Sequence, residues 1–248
     1  MSELDHTLDF SGIRAVVTGG SHGIGAACAT LLRNAGATVI VLDIDAGPEV
    51  IVVDLANRAE VAAAAETSME RLGGVDVLVN VAGIFRPSPV RGLSLEAYDA
   101  TMAVNLTAPV MLMSLFAEPM ATQKYGRIVN ITSIHAKLSE SLSLAYDASK
   151  GGLESATRTA ALELADAGVL VNAVAPGFVA TRMSLVDGQD ELNAKPFTDI
   201  YVGQGRLPLR RAAQPSEIAH TVAFLASKQN SYITGQVVTI DGGLSARF

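Results

Sequence analysis

The sequence predicts an α/β fold, a doubly wound domain whose mostly parallel, seven-stranded sheet carries helices on both faces. Three observations lead there. Short, β-branched apolar runs recur seven times and read as strands buried on both faces. Longer segments with helical spacing separate most of them, and a repeated strand–helix order is the pattern of a parallel sheet built by crossover connections. The 248 residues suffice to bury a continuous core without disulfide or metal staples, and no low-complexity tract, internal repeat or Pro/Gly/Ser-rich linker divides them. Residues 1–248 therefore read as a single domain.

In chain order, the first strand is expected over residues 13–18 and the first helix over 25–34, closed by Gly36. The second and third strands, 38–43 and 50–54, are separated by only six residues, too few for a crossover helix. Strands of this length run about 17 Å, and six extended residues at about 3.3 Å each just return the chain, so a bare loop is predicted. A helix over 57–72 starts at a capping pair, Asn57 with Glu60, and is followed by a strand over 75–80. A long helix over 95–120, a strand over 127–132, a helix over 145–165 and a strand over 169–174 come next. A helix over 215–226 has Pro215 in its first turn, and a last strand spans 237–240.

Composition narrows the function. With 18 Lys+Arg against 25 Asp+Glu the formal charge is −7, which argues against nucleic acid as a partner. The single cysteine, Cys28, excludes an internal disulfide, and His6, His22, His135 and His220 are too scattered for a ligand cluster, so no metal is expected. No uncharged apolar run reaches about 18 residues, and the start Met1-Ser-Glu-Leu-Asp5 lacks the basic and apolar regions of a secretory signal. No membrane partner is expected, and the location is expected to be cytoplasmic.

The first strand leads into Thr18-Gly-Gly-Ser-His-Gly-Ile-Gly25. A glycine turn between strand and helix lets the backbone approach a pyrophosphate and aims helix N-terminal N–H groups at its charge. Alone, the pattern also fits a tight turn with no ligand. Asp43, at the end of the second strand and eighteen residues after Gly25, stands where a carboxylate can accept from both hydroxyls of an adenosine ribose and repel a 2′-phosphate. Its neighbours, Ile44 and Asp45, bring no cation, so the cofactor is expected to be NAD rather than NADP. The alternative is a carboxylate that only caps a strand in solvent.

Together with Asn80-Val-Ala-Gly83, Ser133, Tyr146-Asp-Ala-Ser-Lys150 and Pro176-Gly177, this turn resembles the short-chain dehydrogenase/reductase family, in order and spacing over nearly the whole chain. The resemblance implies a Rossmann-type fold. Physically, Tyr146 and Lys150, four residues apart in a helical segment, project from one face. A free tyrosine has a pKa near 10, and a nearby cation lowers it. Tyr146 could then take the proton of an alcohol as hydride leaves for the nicotinamide, or return it in the reverse reaction, while Ser133 holds the reacting oxygen. Without the glycine turn, Tyr146 and Lys150 alone would fit a surface helix pair better.

The resemblance implies further assignments. Asn105 matches an active-site asparagine that shapes its helix and holds a water linking the lysine to solvent. Gly19, Ser21, His22, Gly23, Ile24 and Gly25 would line the dinucleotide, Asp54 and Leu55 would touch the adenine, and Asn80, Ala82 and Gly83 would pass behind the adenosine ribose. Lys150 would also bond the nicotinamide ribose, with Pro176, Gly177, Val179 and Thr181 near the nicotinamide. Val81 departs from the family pattern, which has a second asparagine there, and the short connection after Asp43 is shared with only a subset of members. A homodimer or homotetramer is implied, paired through helices 95–120 and 145–165 and the region of Asp241-Gly242-Gly243. Met111, Leu112, Leu115 and Phe116 fit either such an interface or the core.

The segment 178–213 should close over the substrate as a lid. Met183, Leu185, Phe197, Tyr201 and Leu207 are its apolar residues, and Asp187, Asp190, Glu191, Lys195 and Arg206 carry charge. Phe178 and Met183 are candidate substrate contacts. His135 could bond a polyhydroxylated substrate or only satisfy a loop, and Arg86 could attract a carboxylate or lie solvated. The expected activity is NAD(H)-dependent interconversion of a secondary alcohol and a ketone on a sugar, polyol or hydroxy acid. A cyclic dihydrodiol dehydrogenase and a 3-oxoacyl thioester reductase are the enzymatic alternatives; a dinucleotide-binding module without turnover is the non-enzymatic one.

Overall fold

The structure is a computed structural model that describes residues 8–186 and 188–246. The N-terminal Met1–Asp5 stretch, His6 and Asp187 lie outside the described residues. The chain alternates β1 (Arg14–Thr18), α1 (Gly23–Asn34), β2 (Thr38–Asp43), β3 (Val50–Val52), α2 (Arg58–Leu72) and β4 (Val77–Asn80). It continues through α3 (Leu95–Met102), α4 (Ala108–Thr122), β5 (Gly126–Ile131), α5 (Leu144–Leu164) and β6 (Val169–Pro176). A small hairpin of β7 (Leu185–Val186) and β8 (Gln189–Asp190) precedes α6 (Pro215–Ala226) and β9 (Val237–Ile240).

Seven strands form one sheet in the order β3-β2-β1-β4-β5-β6-β9, and every pairing in it is parallel. Because side chains alternate across a strand, each central strand feeds two cores. Val17, Val41, Val79 and Val129 face a core completed by Leu32 of α1 and Ile218 and Val222 of α6. Val16, Ile40, Leu78 and Ile128 face the other, filled by Val61 of α2, Leu112 and Phe116 of α4, and Leu153 of α5. Leu112 and Phe116 thus belong to the core, and Met111 and Leu115 pack against it. Residues 95–122 are apolar and long enough to cross a bilayer by composition, but the apolar face of α4 is spent on the sheet.

The predicted elements recur within one or two residues, with one informative exception. The connection 44–49 is the bare loop that its length demands, turned at Glu49, whose φ is 55°. The single helix expected over 95–120 is instead broken by a π-helical turn, Ala103–Thr107. Two causes meet there. Pro109 has no N–H for the carbonyl four residues back, and the buried Asn105 side chain trades two hydrogen bonds with the backbone of Ile84, 2.8 Å to its N–H and 2.9 Å to its carbonyl.

The strand order reverses between β1 and β4, where adjoining crossovers leave in opposite directions and a crevice opens beyond the carboxyl ends. Phe116 anchors the sheet beneath it and is fully buried. Phe116→Ala should cost about 3–5 kcal/mol of unfolding free energy, read from urea unfolding; a loss under about 1 kcal/mol would show that α4 does not hold this core.

Candidate active site

The glycine turn is shaped for close approach. Gly19 has φ of 66°, and a Cβ there would lie 2.8 Å from the Ala82 Cα, so the turn presses against the segment after β4. His22 at the N-cap of α1 offers no side-chain hydrogen bond to the helix, and the first turn holds no acidic residue. Its N–H groups therefore remain available to an anion. The Thr18 hydroxyl accepts from the N–H groups of Val81 and Ala82, 3.0 and 3.1 Å, which fixes the β4 loop without the asparagine that Val81 replaces.

Asp43 is buried at the end of β2. One carboxylate oxygen accepts from the Ser21 N–H at 2.9 Å and the other from the Asp45 N–H at 3.1 Å, which leaves lone pairs on both. Sequence reasoning missed what stands next to it: Asp45 pairs with the His22 ring at 2.8 Å and with Arg182, from beyond Thr181, at 3.2 Å. A lid residue 137 positions distant carries no local signal of this pairing.

The carboxyl ends of β5 and β6 and the start of α5 surround a pocket of about 460 Å³ whose lining includes Ser133, Tyr146, Lys150, Gly177, Val179 and Thr181. Ser133 caps the turn after β5 by accepting from the His135 N–H at 3.1 Å. Tyr146, one turn into α5, hydrogen-bonds with Ser133 through its hydroxyl and packs edge-on against Phe85, ring centres 5.6 Å apart. Lys150, one turn later and 3% exposed, reaches under it: its Nζ lies 5.6 Å from the centre of the Tyr146 ring and donates to the Ile131 carbonyl at 2.8 Å.

The electrostatics differ from the sequence expectation. Burial pushes the Tyr146 phenol above its ordinary range, the Ser133 hydrogen bond opposes that, and the Asp147 charge adds to the rise. Burial pulls the Lys150 ammonium down to about 8. The phenol therefore stands protonated and hydrogen-bonded beside a weakly held cation. Such a group can hold an oxygen and exchange a proton with it. Cys28 is no competing nucleophile, since burial raises its thiol to about 12.

The remaining expected residues divide. Asn105 lies beside the pocket and is tied to Ile84, with Ser149 at 3.3 Å. Asn80 ends β4 and bonds Asn130 at 2.9 Å, Leu55 is buried, and Asp54 is exposed and caps the Ala56 N–H. Phe178, Met183, Phe197, Tyr201 and His135 line the pocket, whereas Leu207 is buried in the lid and Arg86 is exposed outside the lining, where Phe85 takes the wall. Glu191 lines the pocket too, while Lys195 and Asp199 pair in solvent.

The chain is similar to known proteins over nearly its whole length. Residues 19–245 match the family model described as Enoyl-(Acyl carrier protein) reductase. The chain is 39% identical over 247 residues to the 3-oxoacyl-[acyl-carrier-protein] reductase of Synechocystis sp., covering 93% of this chain and 96% of that one. It is 35% identical over 247 residues to the cis-4-hydroxycyclohexanecarboxylate dehydrogenase of Sinomonas cyclohexanicum, covering 94% and 96%. The ligand-free aldohexose dehydrogenase of Thermoplasma acidophilum superposes with a TM-score of 0.89 at 30% identity over 98% of both chains.

The buried lysine has a consequence for stability. Unfolded, Lys150 keeps its proton to about pH 10.5; folded, it releases it near 8. Between those values the unfolded state holds more protons, so unfolding free energy rises with pH. Urea unfolding from pH 7 to 10 should show the wild type gaining up to about 3 kcal/mol relative to Lys150→Met. A pH-independent difference would mean that the lysine is not desolvated.

Proposed function

Because the chain belongs to the short-chain dehydrogenase/reductase family, we propose that it interconverts a secondary alcohol and a ketone with NAD(H), on a small polar substrate. It is an oxidoreductase whose fold binds a nicotinamide dinucleotide. The observation that carries the reading is the convergence of Ser133, Tyr146 and Lys150 on one pocket beside a glycine turn with free N–H groups.

The glycine turn, Gly19 to Gly25, and the α1 N-terminus would hold the pyrophosphate, with Asp43 on the adenosine ribose. Asp54 and Leu55 would border the adenine, Asn80, Ala82 and Gly83 the ribose. Pro176, Gly177, Val179 and Thr181 would border the nicotinamide. A bound nicotinamide supplies the hydride acceptor, or the donor in the reverse direction. Ser133 and Tyr146 hold the reacting oxygen; as the phenolate Tyr146 takes its proton when the carbinol C–H bond breaks, and as the phenol it gives one to the carbonyl in reduction. Lys150 would bond the nicotinamide ribose, and Asn105 keeps the π-turn and the Gly83 segment in place.

Asp43 supports NAD, because a 2′-phosphate there would meet a buried carboxylate with both oxygens already fixed. Arg182 does not offset this, since its charge is matched by Asp45. Reduction of a 3-oxoacyl thioester is the second reading, favoured by the name of the Synechocystis relative. Exposed apolar residues on the outer helices, Leu95, Val110, Leu144 and Leu162, support a homodimer or homotetramer.

Two measurements test the reading. Supplied with sugars, polyols, hydroxy acids, cyclic diols and acyl thioesters, the protein should turn over an alcohol with NAD and little with NADP; NADPH-dependent reduction of a thioester alone would select the second reading. Tyr146→Phe should lower kcat about 10²–10⁴-fold with the fold intact by circular dichroism, and a variant as fast as the parent would remove Tyr146 from the chemistry.

A further inference from the structure

The pocket has two walls of unlike chemistry. One is aromatic: Phe178 meets Phe197 and Tyr201 edge-on, with ring centres 5.0 and 4.7 Å apart. The other is polar and stands next to the reacting centre. The His135 ring lies edge-on to Tyr146, centres 5.6 Å apart, and its Nδ1 is 2.8 Å from an oxygen of Asp147, a side chain only 14% exposed.

A carboxylate accepts and does not donate, so this contact assigns a proton to Nδ1 and leaves Nε2 for a second partner. Nε2 faces Glu140, but the 3.9 Å separation is too long for a hydrogen bond. His135 is therefore oriented by one partner and open on its other nitrogen. Glu140 and Glu191 both line the pocket, and among the described lining residues Lys150 is the one lysine or arginine, already bonded to the Ile131 carbonyl. An anionic substituent on the substrate would meet the like charge of Glu140 and Glu191.

We propose that His135 recognises a second hydroxyl, and that the substrate is a neutral vicinal diol, interconverted with its α-hydroxyketone. The inference rests on the secondary-alcohol reading above. The reacting oxygen sits at Ser133 and Tyr146, the neighbouring hydroxyl donates to Nε2, and the hydrocarbon face lies on the Phe178–Phe197–Tyr201 wall. In oxidation the carbinol C–H bond breaks, its electron pair and hydrogen leave as hydride to the nicotinamide, and the O–H proton passes to Tyr146 in its phenolate form, which becomes the phenol. The neighbouring hydroxyl is unchanged, so His135 holds substrate and product alike. Asp147 is a positioning residue that acts through His135.

The test compares matched substrates on the whole protein with NAD: 1,2-cyclohexanediol, cyclohexanol and 2-hydroxycyclohexanecarboxylate, with 2,3-butanediol and 2-butanol as a linear pair. The diol of each pair should have a kcat/KM at least tenfold above its mono-ol, and the carboxylate should fall below both ring alcohols. His135→Ala should reduce the diol-to-mono-ol ratio at least tenfold, mainly through KM. His135→Gln, whose amide oxygen accepts at similar reach, should restore part of it. Asp147→Ala should reduce the ratio and Asp147→Asn recover part, with melting curves reporting the fold. Mono-ols and diols turned over equally, or a ratio unmoved by both His135 variants, overturn the inference and leave the secondary-alcohol reading standing. No turnover of any of the five with NAD or NADP overturns both.

Discussion

The arrangement depends on one desolvated cation. Lys150 is placed under Tyr146 with its ammonium on the Ile131 carbonyl, at the carboxyl end of β5. Burial without a counter-ion is costly, and the ammonium's fall to about 8 records that cost. The surroundings repay it with fixed geometry. The π-turn brings Asn105 against Ile84, so that its amide and the Lys150 ammonium both border Gly83, each 3.5 Å from where a Cβ on that glycine would stand. A side chain there would enter the space between them.

A second constraint organises the other half of the crevice. Asp43 joins the glycine turn to the end of β2 through the Ser21 N–H, and Thr18 joins the end of β1 to the β4 loop. These are backbone-to-side-chain bonds across neighbouring parallel strands, so the crevice is preorganised at the place where the sheet changes direction. The lid reaches back to the same region through Arg182 and Asp45. Both ends of the crevice are thus held before any ligand arrives.

Most of the fold was legible in the sequence because parallel strands buried on both faces leave continuous apolar runs, as in β2 and β4. Tyr146 and Lys150 were legible because helical spacing fixes which side chains share a face. The break at Ala103–Thr107 was not, since Pro109 signals it only once Asn105 is known to have Ile84 as a partner. The same holds for Asp45 with Arg182 and for His135 with Asp147, pairs made by tertiary placement across 137 and 12 residues. The sequence argument also expected Lys150 to lower the phenol's pKa. Lys150 stands close to Tyr146 as the spacing requires, but the phenol's net shift is upward, because burial is its largest cause.

The central claim is that burial keeps Tyr146 a protonated phenol in the free protein, and that the positive charge of an oxidised nicotinamide, bound as proposed, would ease its ionisation. Titrating Tyr146 by the near-ultraviolet absorbance of tyrosinate, with Tyr146→Phe as the difference reference, tests this directly. The account predicts an ionisation above the ordinary tyrosine range in the free protein, moving to lower pH on addition of NAD. An ionisation already below that range without cofactor, or one unmoved by saturating NAD, would contradict it.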